Sequence, residues 1–141
     1  MSKFVLPAKI KIGGQEIEIK NVSRYNGNAL GRCCLASGYI EIAKTFNDDS
    51  GDNPQTITSQ ENTFYHEVTH AILMTMGEHS LNENEKFISV FSSFLTEVMQ
   101  VVVDTNKKDL ESIKDYIKEM RKVKGDSEYT PVTPHGDLTE S

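Results

Sequence analysis

Alternation with a period of two opens the chain. In residues 8–12, Ala-Lys-Ile-Lys-Ile sends polar and apolar side chains to opposite faces, as a half-buried strand does. Gly13-Gly14 follows as a two-residue hairpin turn, and residues 16–20, Glu-Ile-Glu-Ile-Lys, alternate again. The same pattern predicts a second pair of strands over residues 32–36 and 39–43, joined by a turn at Ser37-Gly38. The expected result is a small antiparallel sheet of three or four strands with one polar face. Residues 47–54, Asn-Asp-Asp-Ser-Gly-Asp-Asn-Pro, read as a loop. Their acidity suggests calcium, but the bidentate Glu that closes an EF-hand loop is missing, so a solvated loop is expected.

The period then changes to that of helices. Thr58-x-x-Glu61 has the form of a capping box, and Gly77 ends a stretch free of Gly and Pro, which predicts a helix over about 58–77. A second helix is expected over about 82–104, capped by Asn82 with Glu85 as its reciprocal partner. Phe87, Phe91, Phe94, Val98 and Val102 recur along it at three- and four-residue steps, which predicts its core face. A third helix is expected over about 109–124, with Leu110, Ile113, Ile117 and Met120 on one side. Residues 125–141 hold few large apolar side chains, two prolines and two glycines, and are expected to be a disordered tail. This organisation is an α+β fold in a single domain over residues 1–124, with its strands between about 5 and 46.

Composition narrows the function. A length of 141 residues suits one modest core. The formal net charge of −6 argues against a nucleic-acid surface, which needs clustered Lys and Arg. Apolar runs are too short to predict a membrane span, and Phe4-Val5-Leu6 stops at Pro7 without resembling a signal peptide. The only cysteines are the neighbours Cys33 and Cys34, which fits a reducing interior better than a disulfide scaffold. Adjacent thiols also lack the ligand spacing of a zinc site. A cytoplasmic location is expected.

The candidate chemistry lies in "FYHEVTH", residues 64–70. Four residues apart on a helix, His66 and His70 share a face and can offer two imidazoles to one ion at roughly 2.0–2.1 Å, as zinc requires. Glu67 stands about 100° round from His66. It is badly placed to be a ligand and well placed to reach a water on the ion. Zinc brings the pKa of such a water towards about 7, where a carboxylate can take its proton. The string alone could be an accident. Its flanks, Phe64-Tyr65 and Ala71-Ile72-Leu73-Met74, predict a helix buried on several sides, where two histidines and a glutamate need a partner that satisfies them.

A catalytic zinc usually takes three protein ligands and keeps one position open. No third histidine follows in the x-x-Gly-x-x-His pattern. His79 falls in the predicted turn, where histidines are usually solvated. The first turn of the second helix offers Glu83 and Glu85. Glu85 lies nearer the point opposite His70 in a helical hairpin, whereas Glu83 is better in phase with Phe87 and Phe91. We favour Glu85.

The run "TFYHEVTHAILMTMGEHSLNENEKFISVFSSFL", residues 63–95, resembles the small gluzincin-like HExxH metallopeptidase domains of phages and prophages. These are similar in layout to ImmA/IrrE-type peptidases. The preceding strand, Gly38-Tyr39-Ile40-Glu41-Ile42, is more weakly similar to theirs. The resemblance implies a minimal zincin layout, with a small sheet packed on a zinc-bearing helical hairpin. It also implies that His66 and His70 bind Zn2+, that Glu67 is the general base, and that a glutamate in the next helix, here matched by Asn84-Glu85-Lys86-Phe87, is the third ligand.

The expected activity is zinc-dependent hydrolysis of a protein or peptide substrate. Tyr65, Tyr39 and His79 are candidates for a donor to the oxyanion. Two rival readings keep the metal without the reaction. One is a regulatory module that docks a partner protein. The other is a structural zinc protein with a closed site, for which His79, His135 and the cysteine pair are the candidate fourth ligands.

Overall fold

The computed structural model describes residues 4–23, 29–48 and 50–124, and its class is α+β. By internal contacts the chain forms two compact units, Met1–Val102 and Val103–Ser141, where one domain over 1–124 was expected. The sheet of the first unit consists of β1 (Lys9–Ile12), β2 (Gln15–Val22), β3 (Gly31–Cys34) and β4 (Tyr39–Ala43), in the order β1-β2-β4-β3. Gly13 and Gly14 make the β1–β2 turn with φ of 57° and 83°, the left-handed pair that a tight hairpin needs. A Cβ on Gly13 would lie 2.6 Å from Thr75 Cγ2, so the turn also has to be bare where it meets a helix.

β3 ends at Cys34 and passes into a 3-10 turn, Leu35–Ser37, instead of running to residue 36. The sheet is also mixed. β1 and β3 pair antiparallel with their neighbours, but β2 and β4 run parallel, with Glu18 opposite Tyr39 and Val22 opposite Ala43. Burial explains the order. Ile17, Ile19, Ile40 and Ile42, the inward residues of β2 and β4, are all buried, so the two most apolar strands take the centre.

Residues 47–54 were expected to be loop, yet β5 (Thr45–Asp48) and β6 (Gly51–Pro54) form a separate hairpin. Its polar side chains satisfy one another. Asn47 Nδ2 donates to Asp52 Oδ1 at 3.0 Å, and Ser50 donates from both N and Oγ to Asp48 Oδ1.

Helix α1 (Ile57–Met76) begins earlier than expected. Its cap is Thr56, whose Oγ1 accepts from Ser59 N at 3.0 Å, and not Thr58. Glu61, the expected capping-box partner, is buried and accepts from Gln100 Nε2 at 2.6 Å. Thr56→Ala should therefore cost about 1 kcal/mol of stability, as cap removals do, while Thr58→Ala should cost little. Thermal or urea melting of both variants checks this, and equal losses would refute the assignment. At the other end Gly77, at φ 75°, closes the helix with bonds to the carbonyls of Leu73 and Met74.

The core lies between sheet and α1. Phe64, Val68 and Ala71, spaced as one helical stripe, pack on Ile17, Ile19, Ile40 and Ile42, with Phe4 against Phe64 at 5.8 Å between ring centroids. Gln55 pins the layers together. It is buried, its amide donates to the Ala43 carbonyl, and its Oε1 accepts from Ser59 Oγ and Thr63 Oγ1, both at 2.8 Å.

After a short helix, α2 (His79–Asn82), comes α3 (Glu85–Lys124), a continuous 40-residue helix. Separate helices over 82–104 and 109–124 were expected. No Gly or Pro falls in that stretch to stop it, and Thr105 and Asn106 cost only fractions of a kcal/mol in a helix, each under about 0.7. Its cap is Asn84, which accepts from Phe87 N at 3.1 Å, instead of Asn82. The expected core face is also overturned. Phe91, Phe94, Val98 and Val102 are exposed, and the buried positions are Ile88, Ser92 and Thr96. Small hydroxyl residues can be buried there because Thr96 Oγ1 bonds back to the Ser92 carbonyl at 2.7 Å and Ser92 Oγ to that of Ser89. One stretch of α3 is long and apolar enough to cross a membrane by length and composition, where no apolar run of that length was expected. Core helices of soluble proteins pass the same test but are mostly buried, whereas this stretch is mostly exposed. Residues 125–141, expected to be a disordered tail, lie outside the described residues.

Candidate metal centre

Helix α1 presents different chemistry on each side. Phe64, Val68 and Ala71 take the sheet. About 200° round from them, at 100° per residue, stand His66 and His70, with ring centroids 5.0 Å apart. Thr63 and Glu67 occupy the sector between and lie against β3. There Gly31 gives them room, since a Cβ at that position would stand 2.7 Å from Thr63 Cγ2 and 3.1 Å from Glu67 Cγ.

Glu85, the first residue of α3, faces both histidines. His66 Nε2 lies 3.3 Å from one of its carboxylate oxygens and His70 Nε2 3.3 Å from the other. The three ligand atoms all fall within 4.8 Å of one another. Zinc bonds of about 2.0–2.2 Å at tetrahedral angles place ligand atoms about 3.3 Å apart, so this donor set fits such an ion. Glu83, the alternative carboxylate, ends α2, is exposed and does not join the group.

The protons tell the same story. His70 Nδ1 lies 2.7 Å from Asn82 Oδ1. An amide oxygen only accepts, so Nδ1 carries a hydrogen and, in the neutral ring, Nε2 presents a lone pair to the carboxylate of Glu85. Two lone pairs at that distance repel unless a cation or a second proton lies between them. Burial, with His70 beside it, holds His66 below the ordinary histidine range, although Glu85 works the other way. His66 therefore favours the neutral form that ligates. Asn82→Ala removes the bond that orients His70 and should weaken zinc affinity by about 10–100-fold, the usual cost of losing such a support. Competition with a chromophoric chelator measures this, and an unchanged affinity would show that Asn82 does not orient the ligand.

Glu67 is buried, and its carboxyl is pushed up to about 7, chiefly by burial and further by the charge of Glu85, with His70 opposing. A cation among the three ligands would lower it again. Glu67 and His66 also line a cleft of about 270 Å3 together with Leu30, Gly31, Asn62 and Thr63. The glutamate is thus poised on a space that a small part of a substrate could enter, and it is not in the ligand group.

The other candidates stand outside the ligand group. Tyr65 packs edge-on against Phe64 at 5.1 Å. Tyr39 lies under Lys20 and accepts from Arg32 Nη2. His79 is an exposed residue at the start of α2. Burial raises the Cys33 thiol to about 11, with Glu67 adding to the effect, so it stays protonated and poor as a ligand. Cys34, like Cys33, is a free thiol and stands outside the ligand group. His135 lies outside the described residues. Sequence reasoning missed Asn82, Gly31 and Gln55 as supports. Asn82 has the form of a helix cap in the sequence, and nothing local to Gly31 or Gln55 shows which side chains they meet.

No family model, curated protein or solved structure matches the chain, so the site itself carries the functional reading.

Proposed function

We propose that this chain is a zinc-dependent peptidase, similar in its chemistry to the small HExxH enzymes its helical hairpin resembles. The observation that carries the reading is the convergence of His66, His70 and Glu85 beside a buried glutamate that belongs to the cleft and not to the ligands. Zinc bound there supplies Lewis acidity to the scissile carbonyl and acidifies a water. His66, His70 and Glu85 hold the site from two helices, and Asn82 orients His70. Glu67 takes the proton of the attacking water and returns it to the leaving amine. Leu30 and Gly31 line one side of the cleft. Beside them β3, an outer strand of the sheet, offers an edge along which an extended peptide can lie. The free thiols Cys33 and Cys34 fit an intracellular, soluble setting.

A second reading, a zinc-bearing module that docks a partner, is favoured by the exposed apolar face of α3. Digestion of a peptide library separates the two. The zinc-loaded chain should cleave, chelator-stripped chain should not, and added zinc should restore cleavage. A loaded protein that never cleaves would leave the docking reading.

A further inference from the structure

We propose that residues 103–124 of α3 form a parallel coiled coil with the same residues of another copy of this chain. The stretch repeats every seven residues. Val103, Leu110 and Ile117 occupy one seam position, and Asn106, Ile113 and Met120 the position three further on. Among the described residues nothing covers the seam. Leu110 is 52% exposed, Ile113 55% and Ile117 42%. An amphipathic helix draws most of its stability from packing its apolar stripe, so a stripe left half in water calls for an occupant. The outward positions are polar throughout, among them Glu111, Asp115, Lys118 and Glu119.

The flanks of the seam say what the occupant is. Beside it on one side stand Lys107, Lys114 and Arg121, and on the other Asp109, Tyr116 and Val123. In a parallel pairing each residue of the second set meets the residue five further on in the other helix. Asp109 then meets Lys114 of the second copy, and Tyr116 meets Arg121 of the second copy, an ion pair and a cation–π contact. An antiparallel pairing instead sets the basic flank against itself. A lipid surface fits less well, because the outward face mixes both signs of charge and is not polybasic. Lys124 ends the seam, and the polar residue inside it, Asn106, favours the alignment in which it meets its own copy. Leu110 followed by Ile113 is a combination that admits more than two strands, so the number of chains is read from the mass.

The test is sedimentation equilibrium of the full chain over a concentration series, with circular dichroism on each variant. Wild type should sediment as two or more chains and dissociate on dilution. Ile113→Asp, at a position exposed in the single chain, should be one chain at every concentration with its fold intact. Ser112→Asp, the same charge on the outward side, should associate as wild type does. Lys114→Asp should weaken association about tenfold, since an exposed ion pair contributes modestly and symmetry repeats it. Asp109→Lys with Lys114→Asp should restore it. A wild type that is a single chain throughout overturns the proposal, whether residues 125–141 cover the seam or the helix binds phosphatidylserine vesicles instead. Association that survives Ile113→Asp, or that strengthens with Lys114→Asp, overturns it equally.

Discussion

Glu67→Gln is expected to lower peptide hydrolysis by about 10²–10⁴-fold, the usual contribution of a positioned general acid–base group. Zinc content and melting temperature should stay close to those of wild type. Glutamine keeps the size and the hydrogen-bonding capacity of the side chain, so Gly31 and Thr63 still have the same neighbour. It removes the proton acceptor. Glu67 is not among the three ligand atoms, so the ion loses no bond. Burial that pushes the carboxyl up to about 7 makes the native residue costly to ionise, and the amide has no such cost. The variant should therefore be at least as stable as wild type without metal. Equal turnover of peptide by both proteins would refute the peptidase reading. A variant that fails to bind zinc would instead show that Glu67 belongs to the ligand set.

Glu85→Ala is expected to weaken zinc binding by more than the roughly 10–100-fold that the loss of an outer support costs. Glu83→Ala should leave it nearly unchanged. The two carboxylates are two residues apart, but only Glu85 opens α3 and bridges both histidines at 3.3 Å. Removing it also takes a favourable negative charge from the first turn of a long helix, so a small loss of stability, typically about 0.3–1 kcal/mol, should accompany the loss of metal. Titration of both variants against a competing chelator decides the matter. The opposite ranking would mean that Glu83 is the ligand in solution.

Much of the site was legible because its code is local. His66, Glu67 and His70 are placed by helical geometry alone, and a short connection leaves only the carboxylates just after it within reach. Glu85 over Glu83 was a finer choice. It turns on which asparagine begins the next helix: Asn84 is the cap and Asn82 meets His70, while Glu85 is the carboxylate that faces both histidines. The strands with isoleucine alternation were legible for the same local reason. Their pairing was not, because parallel contact between β2 and β4 depends on residues some twenty positions apart. The phenylalanine and valine stripe of α3 misled most. Periodicity shows that a face is apolar but not what lies against it, and α1 presents Glu61 and Asn62 to α3, which accept Gln100 and Thr96.

Gly31 has a bearing on how such a protein could change over generations. The three ligands sit within a single stretch of twenty residues, a cassette that can travel or persist as a unit. The surroundings of Glu67 are written elsewhere, on a strand more than thirty residues upstream. In the proposed peptidase, grip on the metal and readiness of the base would therefore be heritable apart. Under the proposed function, drift along β3 would silence or retune turnover while the ion stayed bound, and a lineage that lost the reaction would still carry the His66-His70-Glu85 group for another use.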